Sequence, residues 1–297
     1  MLPYSFAKSE KLQPKRKPVV VALMTSDRGG NSNHPYVFQT LTSLLLETLE
    51  HSSALTPEIH VFVGSQNSSY LNNLKHHLNL RVHPLPSGLV TSFHWKLAKT
   101  NWRAGKNYIR CLNLTSGKAG VLIVEDDVVF SVNFWPRLLD TINQIEQDYP
   151  EKDWALDLYV RNPYHTKLDS SKLYVKYVDK FCCTQAMYYT PGAAKIVIQT
   201  LTKLMTMNRN VHYDMAVSYA ELSQMFPLFG ANPPLVQHIG ISSSIVQSTR
   251  FHVTSFGWEA AQNPYVELTK TGKLHYTEAA TVDLEKYKQH AHKRKQQ

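Results

Sequence analysis

Val121-Leu122-Ile123-Val124-Glu125-Asp126-Asp127-Val128-Val129-Phe130 is an apolar, β-branched run that ends in three consecutive carboxylates and then turns apolar again. Bounded by Gly117 and Gly120, it reads as a buried strand of a parallel sheet. Three acids at the end of such a strand are costly to bury unless something cationic meets them. Hard divalent ions take carboxylate oxygens, and an ion that keeps open positions can also hold the phosphates of a nucleotide. In an open α/β sheet, ligands collect beyond the carboxyl ends of the strands, where Glu125, Asp126 and Asp127 stand. On an extended backbone, Glu125 and Asp127 share one face while Asp126 points the other way. One segment can thus serve a metal and a second ligand group.

Upstream of this run, residues 18–25 (PVVVALMT) predict a first core strand, and the polar, glycine-bearing stretch 26–33, with Arg28, predicts its loop. Tyr36, Leu41, Leu44, Leu45 and Leu49 recur at helical spacing over 35–50, with Pro35 in the first turn. Strand, loop and helix open a βαβ unit. A second strand is expected at 58–64, a short helix at 70–78 and a third strand at 80–83, stopped by Pro84 and Pro86; residues 87–100 read as irregular. A helix then starts at Gly105, with Tyr108, Ile109, Leu112 and Leu114 as its apolar stripe. Asn107 and Arg110 are neighbours on that helix. An arginine so close to the acidic strand either clamps a diphosphate bidentately or pairs with a nearby carboxylate.

Downstream, a helix is expected over 134–149 with Leu138, Leu139, Ile142 and Ile145 inward, and strands at 153–160 and 181–190 on either side of a Tyr-rich loop or hairpin. A helix follows at 191–204. A further one begins near Asn210, with Ala216, Tyr219, Leu222 and Met225 on one side. Asp214, near its N-terminus, is a cap or first-turn acid, or else a general base. His238, after an apolar run, is a structural histidine or a metal ligand.

The 297 residues are 43% hydrophobic and 19% charged, the composition of a soluble globular protein. No apolar run approaches the roughly 20 residues of a membrane span. Three cysteines leave an odd thiol, favouring a reducing compartment, and the adjacent Cys182-Cys183 pair is a poor redox motif. The triplets at Asn67 and Asn113 match a glycosylation sequon that arises often by chance. The formal charge of +9 invites a nucleic-acid reading, but much of it sits at the ends, in Lys11, Lys15, Arg16 and Lys17 and in Lys286, Lys288, Lys293, Arg294 and Lys295. Helix-turn-helix, zinc-knuckle and basic-aromatic patterns are missing from the sequence, so no nucleic-acid partner is expected. The basic ends read as solvated tails or as peripheral attachment to anionic lipid. The expected organisation is a basic tail over 1–17, a catalytic domain over 18–260 and an extension with a basic tail over 261–297, cytoplasmic or peripheral at a membrane.

Together these pieces resemble inverting glycosyltransferases of the GT-A fold, specifically the N-acetylglucosaminyltransferase IV type and, more distantly, the GPI-anchor N-acetylgalactosaminyltransferases. The matching residues occur in order: Thr25 and Arg28 leading to 36–41 (YVFQTL), Asn107 to Arg110 (NYIR), 122–128 (LIVEDDV), and Gln237-His238-Ile239-Gly240 with trailing serines. The last match narrows the group. Animal members carry an N-terminal membrane helix and a further C-terminal domain, neither evident in this sequence, so their acceptor specificity is not carried over.

The resemblance implies one Rossmann-like mixed sheet flanked by helices, and transfer of a sugar from a nucleotide-sugar donor, UDP-linked, to a glycan or lipid-linked acceptor with inversion. It implies Mn²⁺ or Mg²⁺ on Asp127 and His238, helped by Glu125 through water. Asp126 falls to the ribose hydroxyls, Thr25 and Arg28 to the nucleoside, Asn107 and Arg110 to the diphosphate or sugar, and Asp214 to the role of base. The rival enzyme reading is a sugar-phosphate nucleotidyltransferase. Its glycine-rich loop should carry basic residues straight after the first strand, where Gly29-Gly30 has only Arg28.

Overall fold

The computed structural model describes residues 19–25, 36–51, 57–63, 90–95, 101–115, 120–160, 171–177, 181, 183–208, 211–238, 266–268 and 274–276. Strands β1 (Val20–Thr25), β2 (Glu58–Val63), β3 (Val90–Trp95) and β4 (Val121–Glu125) are followed in the chain by β5 (Val128–Phe130), β6 (Ala155–Asp157), β7 (Tyr174–Lys176), β8 (Ala186–Tyr189), β9 (Leu228–Ala231) and β10 (Val236–His238). The main sheet has eight strands in the order β3-β2-β1-β4-β8-β6-β9-β7. From β3 to β4 every pairing is parallel, whereas β8 runs antiparallel to both β4 and β6, and β7 to β9. This is the mixed α/β sheet flanked by helices that the sequence leads one to expect. The carboxyl ends of β1, β2 and β4 lie level, with Met24 opposite both Phe62 and Glu125.

Strand alternation divides the core into two layers. Val21, Leu23, Leu122 and Val124 face α1 (Tyr36–Glu50) and α3 (Phe134–Asp148). Val20, Ala22, Val121 and Ile123 face α2 (Asn101–Leu112), α4 (Pro191–Met207) and α5 (Tyr213–Leu222). Gly120 lets β4 enter beside β8: a Cβ there would come within 2.6 Å of the Tyr189 carbonyl oxygen and 2.5 Å of the Tyr188 hydroxyl. Leu156 and Phe229 fill the other end of the sheet.

Several expectations change. The third strand of the sheet is β3, inside the stretch 87–100 that reads as irregular; parallel pairing with β2 prevails over its weak local pattern. Helix α2 starts at Asn101 rather than Gly105. Gly105 is interior because a Cβ there would meet the Met205 sulfur at 2.9 Å, where α2 crosses α4. On α5 the buried face is Tyr213, Ala216, Val217 and Ala220, while Tyr219 (50%) and Leu222 (63%) are exposed, as is Met225 (47%) beyond its end. Small residues admit close packing against α4, so the large apolar side chains turn outward. Leu139 is only half-buried. Cys111 is a free thiol buried in α2. Within 261–297, β11 (Val266–Leu268) and β12 (Leu274–Tyr276) form an antiparallel ribbon. The strand expected at 80–83, the helix at 70–78 and the loop at 26–33 with Arg28 lie outside the described residues. Among the described residues, no helix is long and apolar enough to cross a membrane.

Candidate active site

At the end of β4 the three acids separate. Glu125 keeps the strand geometry, its N–H donating to the Gln185 carbonyl at 2.7 Å, and its side chain lies on the α2/α4/α5 face. Asp126 and Asp127 then form a tight turn into β5. Thr40, fully buried on α1, holds that turn: its Oγ1 lies 2.8 Å from the Asp126 carbonyl and 2.6 Å from the Val128 carbonyl, and accepts from the Val128 N–H at 3.2 Å. A hydroxyl has one proton, so it donates to one of the two carbonyls at a time. Asp126 points to the α1 side, where its Oδ2 accepts from the Thr25 hydroxyl at 2.6 Å. Both residues are buried, so the end of β1 is tied to the end of β4 by a charge-assisted bond.

Asp127 turns toward β10, which pairs antiparallel with β5 so that His238 stands opposite Val128. His238 Nε2 lies 3.1 Å from Asp127 Oδ2, and the two side chains are only 6% and 4% exposed. The His238 ring also packs on Tyr159, with centroids 5.9 Å apart. Adjacent ligand positions on an octahedral ion with bonds of about 2.1 Å are about 3.0 Å apart, so the pair has the spacing of two neighbouring ligands. One carboxylate oxygen and one imidazole nitrogen form a mixed donor pair that fits Mn²⁺ better than Mg²⁺, which prefers oxygen ligands alone. Among the described residues, the group of three ligand atoms within 4.8 Å is instead Glu47, Glu50 and His51, about two turns along α1 from Thr40. There Glu47 Oε2 accepts from the N–H of Phe134, the first residue of α3, at 2.8 Å.

Glu125 meets a residue the sequence reading passed over. The Tyr213 hydroxyl donates to its Oε1 at 2.6 Å, and the Tyr213 ring stacks on Tyr108 with centroids 4.5 Å apart. Tyr108 in turn shares a 2.6 Å hydrogen bond with Tyr189. Burial first, and then the Glu125 carboxylate, push the Tyr213 phenol well above its ordinary pKa, so it remains a proton donor. Asp214 is the next residue, in the first turn of α5, with its side chain 28% exposed. Its Oδ1 contacts Nδ1 of His212, the N-cap residue, whose pKa burial lowers. In the tautomer that carries its proton on Nδ1, the imidazole donates to the Asp214 carboxylate and orients it.

Asn107 is buried on α2, one residue before Tyr108. The Arg110 guanidinium lies 5.6 Å from the Phe62 ring centre, level with Glu125 but two strands away, and its Nη1 is buried with no hydrogen-bond partner among the described residues. Of the residues expected in the site, the fold thus joins Thr25 to Asp126 and Asp127 to His238, and brings the helix of Asp214 to Glu125. Arg28 is not described. Thr40 and Tyr213 were missed because each acts through a hydroxyl in an apolar helical stripe; only the fold reveals the partner.

No protein-family model and no curated protein sequence matches this chain. Solved structures resemble it in fold. GalNAc-T7 with UDP, GalNAc and Mn²⁺ aligns with TM-score 0.49 and 10% identity over 75% of this chain and 43% of that one. CTP:phosphocholine cytidylyltransferase from Streptococcus pneumoniae aligns with TM-score 0.45 and 12% identity over 77% and 95%. The 4-diphosphocytidyl-2C-methyl-D-erythritol synthase from Anaerococcus prevotii aligns with TM-score 0.41 and 11% identity over 79% and 91%.

Proposed function

We propose that this protein is a metal-dependent glycosyltransferase that moves a sugar from a UDP-linked donor to a hydroxyl of a glycan or lipid-linked acceptor, with inversion. The observation that carries the reading is the division of labour within one acidic turn: Asp126 is tied to Thr25 at the end of β1, and Asp127 to His238 on β10. Two neighbouring carboxylates thus serve two subsites. Asp126 and Thr25 border the nucleoside and accept its ribose hydroxyls. Asp127 and His238 would hold Mn²⁺ or Mg²⁺, which when bound neutralises charge developing on the departing diphosphate. Arg110, with its buried Nη1, supplies a further cation for the diphosphate, and Asn107 hydrogen-bonds the donor. Asp214, partly open to water and next in the chain to the Tyr213 that binds Glu125, takes the proton of the acceptor hydroxyl as that oxygen attacks the anomeric carbon from the side opposite the diphosphate. His212 holds the Asp214 carboxylate in place.

The test is thermal unfolding with a panel of sugar nucleotides, with and without Mn²⁺. A ligand at about 100 times its Kd stabilises by about 2.7 kcal/mol, an upward shift of several degrees, and the shift should need both the metal and one UDP-sugar. No shift with any nucleotide overturns the reading. Asp214→Asn should keep that shift while losing about 10²- to 10⁴-fold in turnover; unchanged turnover removes Asp214 from the mechanism.

A further inference from the structure

Glu125 precedes the two acids just described, and its side-chain contact is a different one. It is the last residue of β4, its backbone N–H is held by Gln185, and its side chain turns away from Asp126 toward the helical layer of α2, α4 and α5. What it meets there is the hydroxyl of a fully desolvated phenol, Tyr213, at 2.6 Å. The ring is clamped from two sides. Tyr108 stacks on it at 4.5 Å with planes 13° apart, and His212 lies against it with centroids also 4.5 Å apart and planes 28° apart. A rigid aromatic held in this way has little freedom to withdraw its hydroxyl, and a short O–H···O⁻ bond to a carboxylate is among the stronger neutral-to-charged contacts. Tyr213 is also the first residue of α5 and is flanked by His212 and Asp214. The same bond therefore fixes the N-terminus of α5 against the end of β4.

We propose that Tyr213 is a positioning residue: its hydroxyl sets the orientation of the Glu125 carboxylate toward the donor and, through the start of α5, the separation between Glu125 and Asp214. This rests on the transferase reading above. Glu125 would then receive a donor hydroxyl or a metal-bound water through a carboxylate whose rotamer is set before the donor arrives, which is how a supporting contact raises turnover without touching substrate. Nothing in the proposal requires Tyr213 to gain or lose a proton.

The test is a double-mutant cycle on purified full-length chain, with donor kinetics and Mn²⁺-dependent donor binding as readouts. Tyr213→Phe keeps the ring and its stacks and removes only the hydroxyl. It should retain a cooperative melt and native circular dichroism, yet lose about tenfold in kcat/KM. Glu125→Gln should lose at least as much, and the double variant should be no worse than Glu125→Gln alone within about twofold, because the proposed effect of the hydroxyl on turnover runs through that carboxylate. Additive losses, or a Tyr213→Phe enzyme within twofold of the parent, overturn the proposal. A parent chain that neither binds nor turns over any sugar nucleotide overturns the transferase reading, and the positioning role falls with it. An active parent with an unaffected Tyr213→Phe variant overturns the positioning role alone.

Discussion

Asp127 and His238 are 111 residues apart in the chain, and both side chains are more than nine-tenths buried. Burying a carboxylate beside an imidazole is favourable only if a proton or a metal lies between them. Both arrangements fit a 3.1 Å separation, and metal binding distinguishes them. His238→Ala is expected to weaken Mn²⁺ affinity at least tenfold, the loss seen even for supporting contacts of metal sites, while leaving the proposed nucleotide contacts at Thr25 and Asp126 in place. Titration of Mn²⁺ against thermal unfolding at fixed UDP measures this; an unchanged midpoint would make His238 a structural histidine. At this scale the sequence was informative about which side chains carry charge. It was silent on Tyr213 and Thr40, because a hydroxyl in an apolar stripe reads as core until its acceptor is known.

Among the elements, the turn between β4 and β5 depends on a helix 86 residues earlier. Thr40 of α1 satisfies backbone groups on both sides of Asp126 and Asp127, so the helix that follows the first strand holds the acidic turn in shape. Replacing it with the isosteric valine leaves the buried Val128 N–H without that acceptor. Thr40→Val should therefore lower stability by about 1–3 kcal/mol and blunt the donor-dependent shift. Denaturant unfolding and donor titration measure the two effects, and a variant as stable as the parent would show that the turn holds itself. Elements with strong internal pattern were legible beforehand: β1, β2, β4, α1, α3 and α4 lie where periodicity puts them. β3 was not, since its pattern is weak and its pairing with β2 is decided across the sheet. The outward turn of Tyr219 and Leu222 on α5 was not legible either, because hydrophobicity alone does not say which of two stripes meets a neighbouring helix.

At the scale of the molecule, two buried carboxylates shape the pH dependence of stability. Desolvation raises Asp157 to about 7, against the lowering effect of hydrogen bonds from the Tyr159 N–H and the Tyr177 hydroxyl. Burial likewise raises Glu47 to about 7. In each case the folded state binds the proton more tightly than the unfolded chain, so the contribution is complete below about pH 4 and is lost as pH rises through about 7. His212, lowered by burial, works in the other direction, its contribution being lost as pH falls below about 6.5. The Asp157→Asn difference isolates one group: the parent should lose stability relative to the variant between pH 5 and 8, by several degrees in melting temperature. Parallel melting curves across that range would show that Asp157 does not titrate there.

The order of residues by itself determined that the chain is an α/β protein with three adjacent acids at the carboxyl edge of a parallel sheet. Strand and helix periodicities are local, and so is the charge cost of three adjacent acids. It also determined the opposed directions of Glu125 and Asp126, since alternation along a strand needs no partner. Only the tertiary structure decided what each acid meets. Thr25, Tyr213 and His238 lie 101, 88 and 111 residues from the acids they contact. Contacts over such separations follow from sheet order and helix packing, which are cooperative properties of the whole chain and leave no local mark on the sequence.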